Sequence, residues 1–181
     1  TLRVIKRIRE SATIEVRATF LGAHAVGRAY KGRQAEYVEH VCRDMIPAVA
    51  KENLADFVDV FCDRGFFTVE ETAKIMEVGA KYGLRAKIHA NELAISGGVE
   101  VGVEHNALSV DHLESMGDEQ IEALRGTNTM PTMLPGCAFF LGITYPPARK
   151  MIDAGLAVAL ASDFNPGTAP SGNMRFVVSL G

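Results

Sequence analysis

Three apolar runs in this chain end in a side chain that can bind a metal or carry a proton. Lys87-Ile88-His89 is followed three residues later by Glu92. Ala107-Leu108-Ser109-Val110-Asp111 leads to His112, and Val158-Ala159-Leu160-Ala161-Ser162 leads to Asp163. Imidazole nitrogen and carboxylate oxygen are donors that suit zinc or iron better than a thiolate-preferring ion. His89 and Asp163 are therefore the candidate metal ligands. Each alone has a plainer reading, a hydrogen-bonded core histidine or a loop-capping aspartate, but the recurrence of one pattern favours a shared site. Glu92, just outside its run, is the candidate to bind substrate or to exchange protons with water at the metal. Its plain alternative is a surface glutamate. His112 is the candidate general base, and its alternative is a packed histidine bonded to Asp111 or a carbonyl.

Two further pieces could complete a pocket. Ala18-Thr19-Phe20-Leu21-Gly22-Ala23 ends at His24, which meets the other groups only if the sheet curls. In Asp163-Phe164-Asn165-Pro166-Gly167-Thr168, Asn165 offers both donor and acceptor, Gly167 permits close backbone approach and Thr168 offers a hydroxyl. The same residues would also make an ordinary Asn-Pro-Gly turn. His40 and His105 lie in helical stretches and are read as structural.

The elements that must deliver these groups follow from spacing. Leu2, Ile5 and Ile8 open a helix. Gln34 to Asn53 reads as helical, with Tyr37, Val41 and Met45 in one row and Val38, Cys42 and Ile46 in the next. Pro47 predicts a break or kink there. Phe57 to Asp63 reads as a strand. Thr68 and Glu71 form a capping box for a helix whose predicted inner stripe is Val69, Ala73, Met76 and Ala80, ending near Gly83. Ser96 to Asn106 is a weaker, glycine-interrupted helix. Ser115 or Asp118 caps another, carrying Ile121 and Leu124. Thr129 to Leu134 is a short strand, Pro146 and Pro147 start a helix with Ala148, Met151 and Ile152 inward, and Leu156 to Ala161 is the last strand. Met174 to Leu180 is again helical.

Strand ends thus fall near His24, Cys62, His89, His112, Leu134 and Asp163, separated by helical segments, which is the rhythm of parallel βα units. An open doubly wound sheet concentrates its site at a switch point, often beside a glycine-rich phosphate turn, and no G-x-G-x-x-G follows the first strand. Polar groups on several strand ends are the mark of a (β/α)8 TIM barrel. The predicted fold is that α/β barrel, incomplete, with six of its eight βα units. Both ends of the chain read as the interior of a larger structure, so residues 1–181 are expected to be part of a barrel whose first strands and flanking small β-domain lie elsewhere.

Composition narrows the class. The chain has 181 residues, 48% hydrophobic and 23% charged, with a net charge of −3. That balance gives no electrostatic reason to bind nucleic acid or an anionic membrane, and no apolar run reaches the roughly 20 residues of a membrane span. Cys42, Cys62 and Cys137 are widely spaced and read as buried filler in a reducing, cytoplasmic setting. Apolar helix faces leave a homodimer open.

Thr19 to His24, His89-Ala90-Asn91-Glu92, Ser109 to Glu114, Pro131-Thr132-Met133-Leu134-Pro135-Gly136 and Ala161 to Gly167 together resemble, in order, the imidazolonepropionase family of the amidohydrolase superfamily. The resemblance implies a metal-dependent hydrolase that opens 4-imidazolone-5-propanoate to N-formimidoyl-L-glutamate in histidine degradation. It implies His89 and Asp163 as ligands of one zinc or iron ion and His112 as the catalytic histidine. Glu92 would be the group that binds and activates substrate or water, and His24, Asn165, Gly167 and Thr168 the substrate contacts. The superfamily's His-x-His pair does not occur here, which leaves two ligands where a catalytic zinc usually has three from protein. These 181 residues alone are therefore expected to be inactive. The competing expectations are another amidohydrolase acting on a purine or pyrimidine, and a metal-free domain derived from the fold.

Overall fold

The computed structural model describes residues 1–181. Six strands form one sheet: β1 Thr19–Ala23, β2 Phe57–Cys62, β3 Arg85–Ala90, β4 Ser109–His112, β5 Met130–Met133 and β6 Ala159–Leu160. All neighbouring strands are parallel, in the order of the sequence. No strand order reverses, so the switch point of a doubly wound sheet is missing. The sheet does not close, since β1 and β6 are its two edges. Yet residues following those two edges line one cavity, His24 on one side and Asp163, Asn165, Gly167 and Thr168 on the other. The wall therefore curls as a barrel does.

The helices are α1 Leu2–Ser11, α2 Gln34–His40, α3 Ile46–Lys51, α4 Val69–Lys81, α5 Gly98–Glu104, α6 Asp118–Leu124, α7 Pro135–Leu141, α8 Ala148–Asp153 and α9 Met174–Leu180. The core lies between them and one face of the sheet. Val58, Val60, Ile88, Ala90 and Val110 from the strands are buried with Ile75, Met76, Val99, Ile121, Leu124 and Met151 from the helices. Burying each large apolar side chain is worth about 1.5–3 kcal/mol. The glycines of α5 are explained by closeness to this face. A Cβ on Gly98 would lie 2.8 Å from the Ala90 Cβ and 3.1 Å from the Cys62 carbonyl oxygen.

Several local expectations change. The break or kink expected at Pro47 takes the form of a π-helical interruption just before it, with the chain staying helical on both sides. A π-helical turn, Val41–Met45, precedes α3, where Pro47 is in the first turn. That position needs no intrahelical donor, and the widened turn takes up the ring. The capping box of α4 is formed, with Glu71 N–H donating to Thr68 Oγ1 and Thr68 N–H donating to Glu71 Oε2. Its buried face is Thr72, Ile75, Met76 and Gly79, one step round from the predicted stripe. Gly117, not Ser115 or Asp118, precedes α6, and its amide donates to Gln120 Oε1 at 3.1 Å. In α8 Met151 is buried but Ile152 is exposed. Helix α7, begun by Pro135, has no counterpart in the sequence reading. Strand β1 is an edge, and Leu21 is exposed rather than buried on both faces.

Candidate active site

The face of the sheet turned away from the helices is polar. Strand residues alternate between faces, and register aligns Asp59 with Lys87, Phe61 with His89, and His89 with Asp111. Charges in the middle of a strand survive burial only with partners. Lys87 Nζ lies 2.9 Å from Asp111 Oδ2, and Asp59 Oδ1 lies 2.9 Å from His89 Nδ1. Burial lowers the His89 pKa, but the charge and hydrogen bond of Asp59, with Asp111 and Asp163 adding, outweigh it and raise the value to about 9. Burial also pushes the Asp59 carboxyl up, and His89 overcomes this and holds it below its ordinary value.

The histidines gather above this layer. The rings of His24 and His89 have centroids 5.8 Å apart, and those of His89 and His112 are 5.3 Å apart. His24 also stacks on Phe61 at 5.2 Å. Burial, then the neighbouring His89, lowers the His24 pKa and favours its neutral form. Such a ring can donate through one nitrogen and accept through the other.

His112 stands between two carboxylates, with Nε2 3.6 Å from Glu92 Oε2 and Nδ1 3.7 Å from Glu114 Oε2. His112 Nδ1 and both oxygens of Glu114 are buried without a hydrogen-bond partner. They face one another, so a small closing movement would satisfy both. Burial, reinforced by Glu114 and opposed by His112, raises the pKa of Glu92. A carboxyl shifted upward is better matched to carrying a proton near neutral pH.

The strand exits are held in unusual backbone. Asn91 has φ 55, His112 φ 84, Leu113 φ 70 and Asp163 φ 50. Non-glycine residues in this region cost of order 1–3 kcal/mol each and persist where surrounding bonds fix them. Here Leu113 N–H donates to Ala90 O and Ser115 N–H to Asn91 O. Buried Asp63 holds the loop that carries Glu92, accepting from Leu93 N–H at 2.9 Å and Arg64 N–H at 2.6 Å.

On the far edge, Asn165 organises its own turn. Its Nδ2 donates to Asp163 O at 2.7 Å and approaches Asp163 Oδ2 at 3.2 Å, while its Oδ1 accepts from the Gly167 and Thr168 amides, each at 2.8 Å. The Asn165 amide is thereby engaged in orienting Asp163. The Thr168 hydroxyl lies 3.0 Å from Asn165 Nδ2.

All eight residues singled out from the sequence, His24, His89, Glu92, His112, Asp163, Asn165, Gly167 and Thr168, line the same cavity with Phe61, Phe66 and Leu93. Asp59, Asp63 and Glu114 were not anticipated. Asp59 carried a readable signal, a lone carboxylate inside the apolar run Phe57 to Cys62. Asp63 is a polar strand end of the kind recognised elsewhere. The sequence offers no comparable mark for Cys137, whose Sγ is 3.9 Å from Glu92 Oε1. Burial, then Glu92, pushes the Cys137 thiol up to about 12.

The donor set fits a metal in part. His89 has Nδ1 fixed by a buried carboxylate, leaving Nε2 for a ligand, which is the arrangement usual for a metal-bound histidine. Asp163 lies on the same cavity and its charge acts on His89.

No family model matches the chain. Curated relatives named imidazolonepropionase do. The chain is 57% identical to that of Flavobacterium johnsoniae over 98% of its own length and 43% of the relative's. It is 54% identical to that of Christiangramia forsetii over 99% of its length and 44% of the relative's, and 43% identical to that of Thermoanaerobacter pseudethanolicus. The family resemblance read from the motifs is thus borne out by homologues across nearly the whole chain, which spans less than half the length of these relatives. Among solved structures, a guanine deaminase from C. acetobutylicum with bound guanine aligns with TM-score 0.71 at 15% identity, covering 99% of this chain and 46% of that one. A 5-methylcytosine deaminase from Klebsiella pneumoniae aligns with TM-score 0.74, also at 15% identity, covering 99% and 49%. At that identity they speak for the α/β fold alone.

Proposed function

We propose that the full-length protein is an imidazolonepropionase, hydrolysing the ring amide of 4-imidazolone-5-propanoate to give N-formimidoyl-L-glutamate in histidine degradation. The observation that carries this reading is the identity of 54–57% to proteins of that name over 98–99% of the chain. The gathering of the predicted residues on one cavity supports it. We take residues 1–181 to be part of the catalytic barrel.

His89 and Asp163 would hold a zinc or iron ion, with two further ligands from outside these residues, and the ion supplies Lewis acidity when bound. His112 accepts a proton from the attacking water as its oxygen bonds to the ring carbonyl carbon. Protonated Glu92 orients the water and substrate and delivers its proton to the ring nitrogen as the carbon–nitrogen bond breaks, and the proton that His112 took from water returns to Glu92, 3.6 Å away, to restore both groups. Neutral His24 and the Asn165–Thr168 turn hold the imidazolone ring and its propanoate. Glu114 would orient His112 through Nδ1 once the 3.7 Å gap between them closes, as Asp59 orients His89.

The test is a substrate panel with the metal-loaded full-length protein: imidazolonepropanoate, guanine and cytosine. Ring opening of the first without ammonia release from the others is expected. His24→Ala should raise KM for imidazolonepropanoate by at least about ten-fold, the worth of roughly one lost hydrogen bond to substrate. Deamination of guanine or cytosine in preference to ring opening would overturn the reading in favour of an aminohydrolase.

A further inference from the structure

We propose that Glu92, His112 and Cys137 form a second metal-binding site, which takes a thiophilic divalent cation such as cadmium or excess zinc and blocks the cavity when filled. One donor atom from each residue lies within 4.8 Å of the others. The individual separations are already near those of a coordination sphere, 3.9 Å from Cys137 Sγ to Glu92 Oε1 and 3.6 Å from His112 Nε2 to Glu92 Oε2. Zinc bonds of about 2.3 Å to sulfur and 2.0–2.1 Å to nitrogen or oxygen put tetrahedral ligands roughly 3.3–3.6 Å apart. The widest separation the three atoms can have, 4.8 Å, must contract by at most about 1.2 Å to bring all three to a common centre.

The donors come from the loop after β3, the end of β4 and the first turn of α7, which follows β5 directly. His112 is 3% exposed and Cys137 fully buried, so neither side chain gives up much freedom on binding. The set is chemically different from His89 and Asp163, because it contains a thiol and selects a softer ion. Binding is a simple exchange. The metal–sulfur bond forms as the Cys137 S–H bond breaks, and the proton leaves to solvent. Occupation ties up Glu92 and His112, the two proton-carrying groups of the proposed reaction. The blocking effect rests on that reaction, whereas the binding site does not.

The experiment titrates cadmium chloride into the full-length protein and follows thiolate-to-cadmium charge-transfer absorption in the ultraviolet. A band saturating at one equivalent is expected. It should persist in a Cys42→Ala/Cys62→Ala double variant, and it should vanish in both Cys137→Ala and Cys137→Ser. The same Cys137 variants should raise the cadmium concentration for half-inhibition by at least about ten-fold. A band unchanged by the Cys137 substitutions, no band in the unsubstituted protein, or undiminished cadmium inhibition of the variants would overturn the proposal. Absorbance is read without substrate, so a protein that fails to open imidazolonepropanoate would still decide whether the site exists.

Discussion

Asp59 does its work behind the candidate ligand rather than at it. Its bond to His89 Nδ1 fixes the tautomer and the direction of Nε2. Asp59→Asn should weaken metal binding about 10–100-fold, read by chelator competition on the full-length protein. Unchanged affinity would remove Asp59 from the metal account. Glu114 is the matching case for His112. Glu114→Gln should lower kcat by about ten-fold or more with little change in KM, and should displace the limb of the pH–kcat profile that reports the base. A loss confined to stability, with the profile intact, would make Glu114 structural. His89, His112 and Asp163 were legible because each ends an apolar run. Asp59 showed only as a lone carboxylate in an apolar run, and its role, like that of Glu114, depends on a partner on another strand or across the cavity. No spacing along the chain records that distance.

At the scale of elements, sequence periodicity found the strands and most helices, and it misjudged the faces. The α4 stripe was placed one step off because Thr72 and Gly79 were not counted as inward residues, yet both pack toward the sheet. Small size made them suitable: a Cβ on Gly79 would meet the Val58 side chain at 2.5 Å. Gly98 gives the sharper test. Alanine normally gains about 0.5–1 kcal/mol over glycine in a helix, but here the new Cβ meets backbone as well as Ala90. Gly98→Ala should destabilise by about 1–3 kcal/mol net, measured by urea unfolding, and a stabilising outcome would contradict the close α5–sheet contact. At the other end of the sheet, Asp56 ties α1 to the β1–β2 edge. It accepts from Ala18 N–H at 2.8 Å and pairs with Arg9 and with Arg17 Nη1, the latter at 3.3 Å. Burial pushes its carboxyl up, but the Ala18 amide and the Arg9 and Arg17 guanidiniums outweigh this and hold its pKa below the ordinary value. A depressed carboxyl contributes stability above its unfolded pKa of about 3.9 and loses it as pH falls through the lower folded value. Asp56→Asn should therefore lower stability at neutral pH and flatten its decline below about pH 4. An identical acid limb in the variant would show that Asp56 is not the group responsible.

For the whole molecule, the sequence conveyed a barrel wall through its rhythm of βα units and its polar strand ends. The sequential parallel order and the cavity shared by the two edges carry the same message in three dimensions. Helix α7 escaped notice because seven residues beginning Pro-Gly have little periodicity to read, although they bring Cys137 beside Glu92. The chain brings His89 and Asp163 to the cavity but spans about 43% of the length of its imidazolonepropionase relatives. If two ligands are too few for a working centre, residues 1–181 expressed alone should turn over no substrate even with zinc or iron supplied, and turnover near the full-length rate would refute this. The most direct measurement is the product formed when metal-loaded full-length protein meets 4-imidazolone-5-propanoate, followed by mass spectrometry. The account predicts N-formimidoyl-L-glutamate, substrate plus one water, with formation lost in His89→Ala and His112→Ala. An unchanged substrate, or equal conversion by those variants, would contradict it.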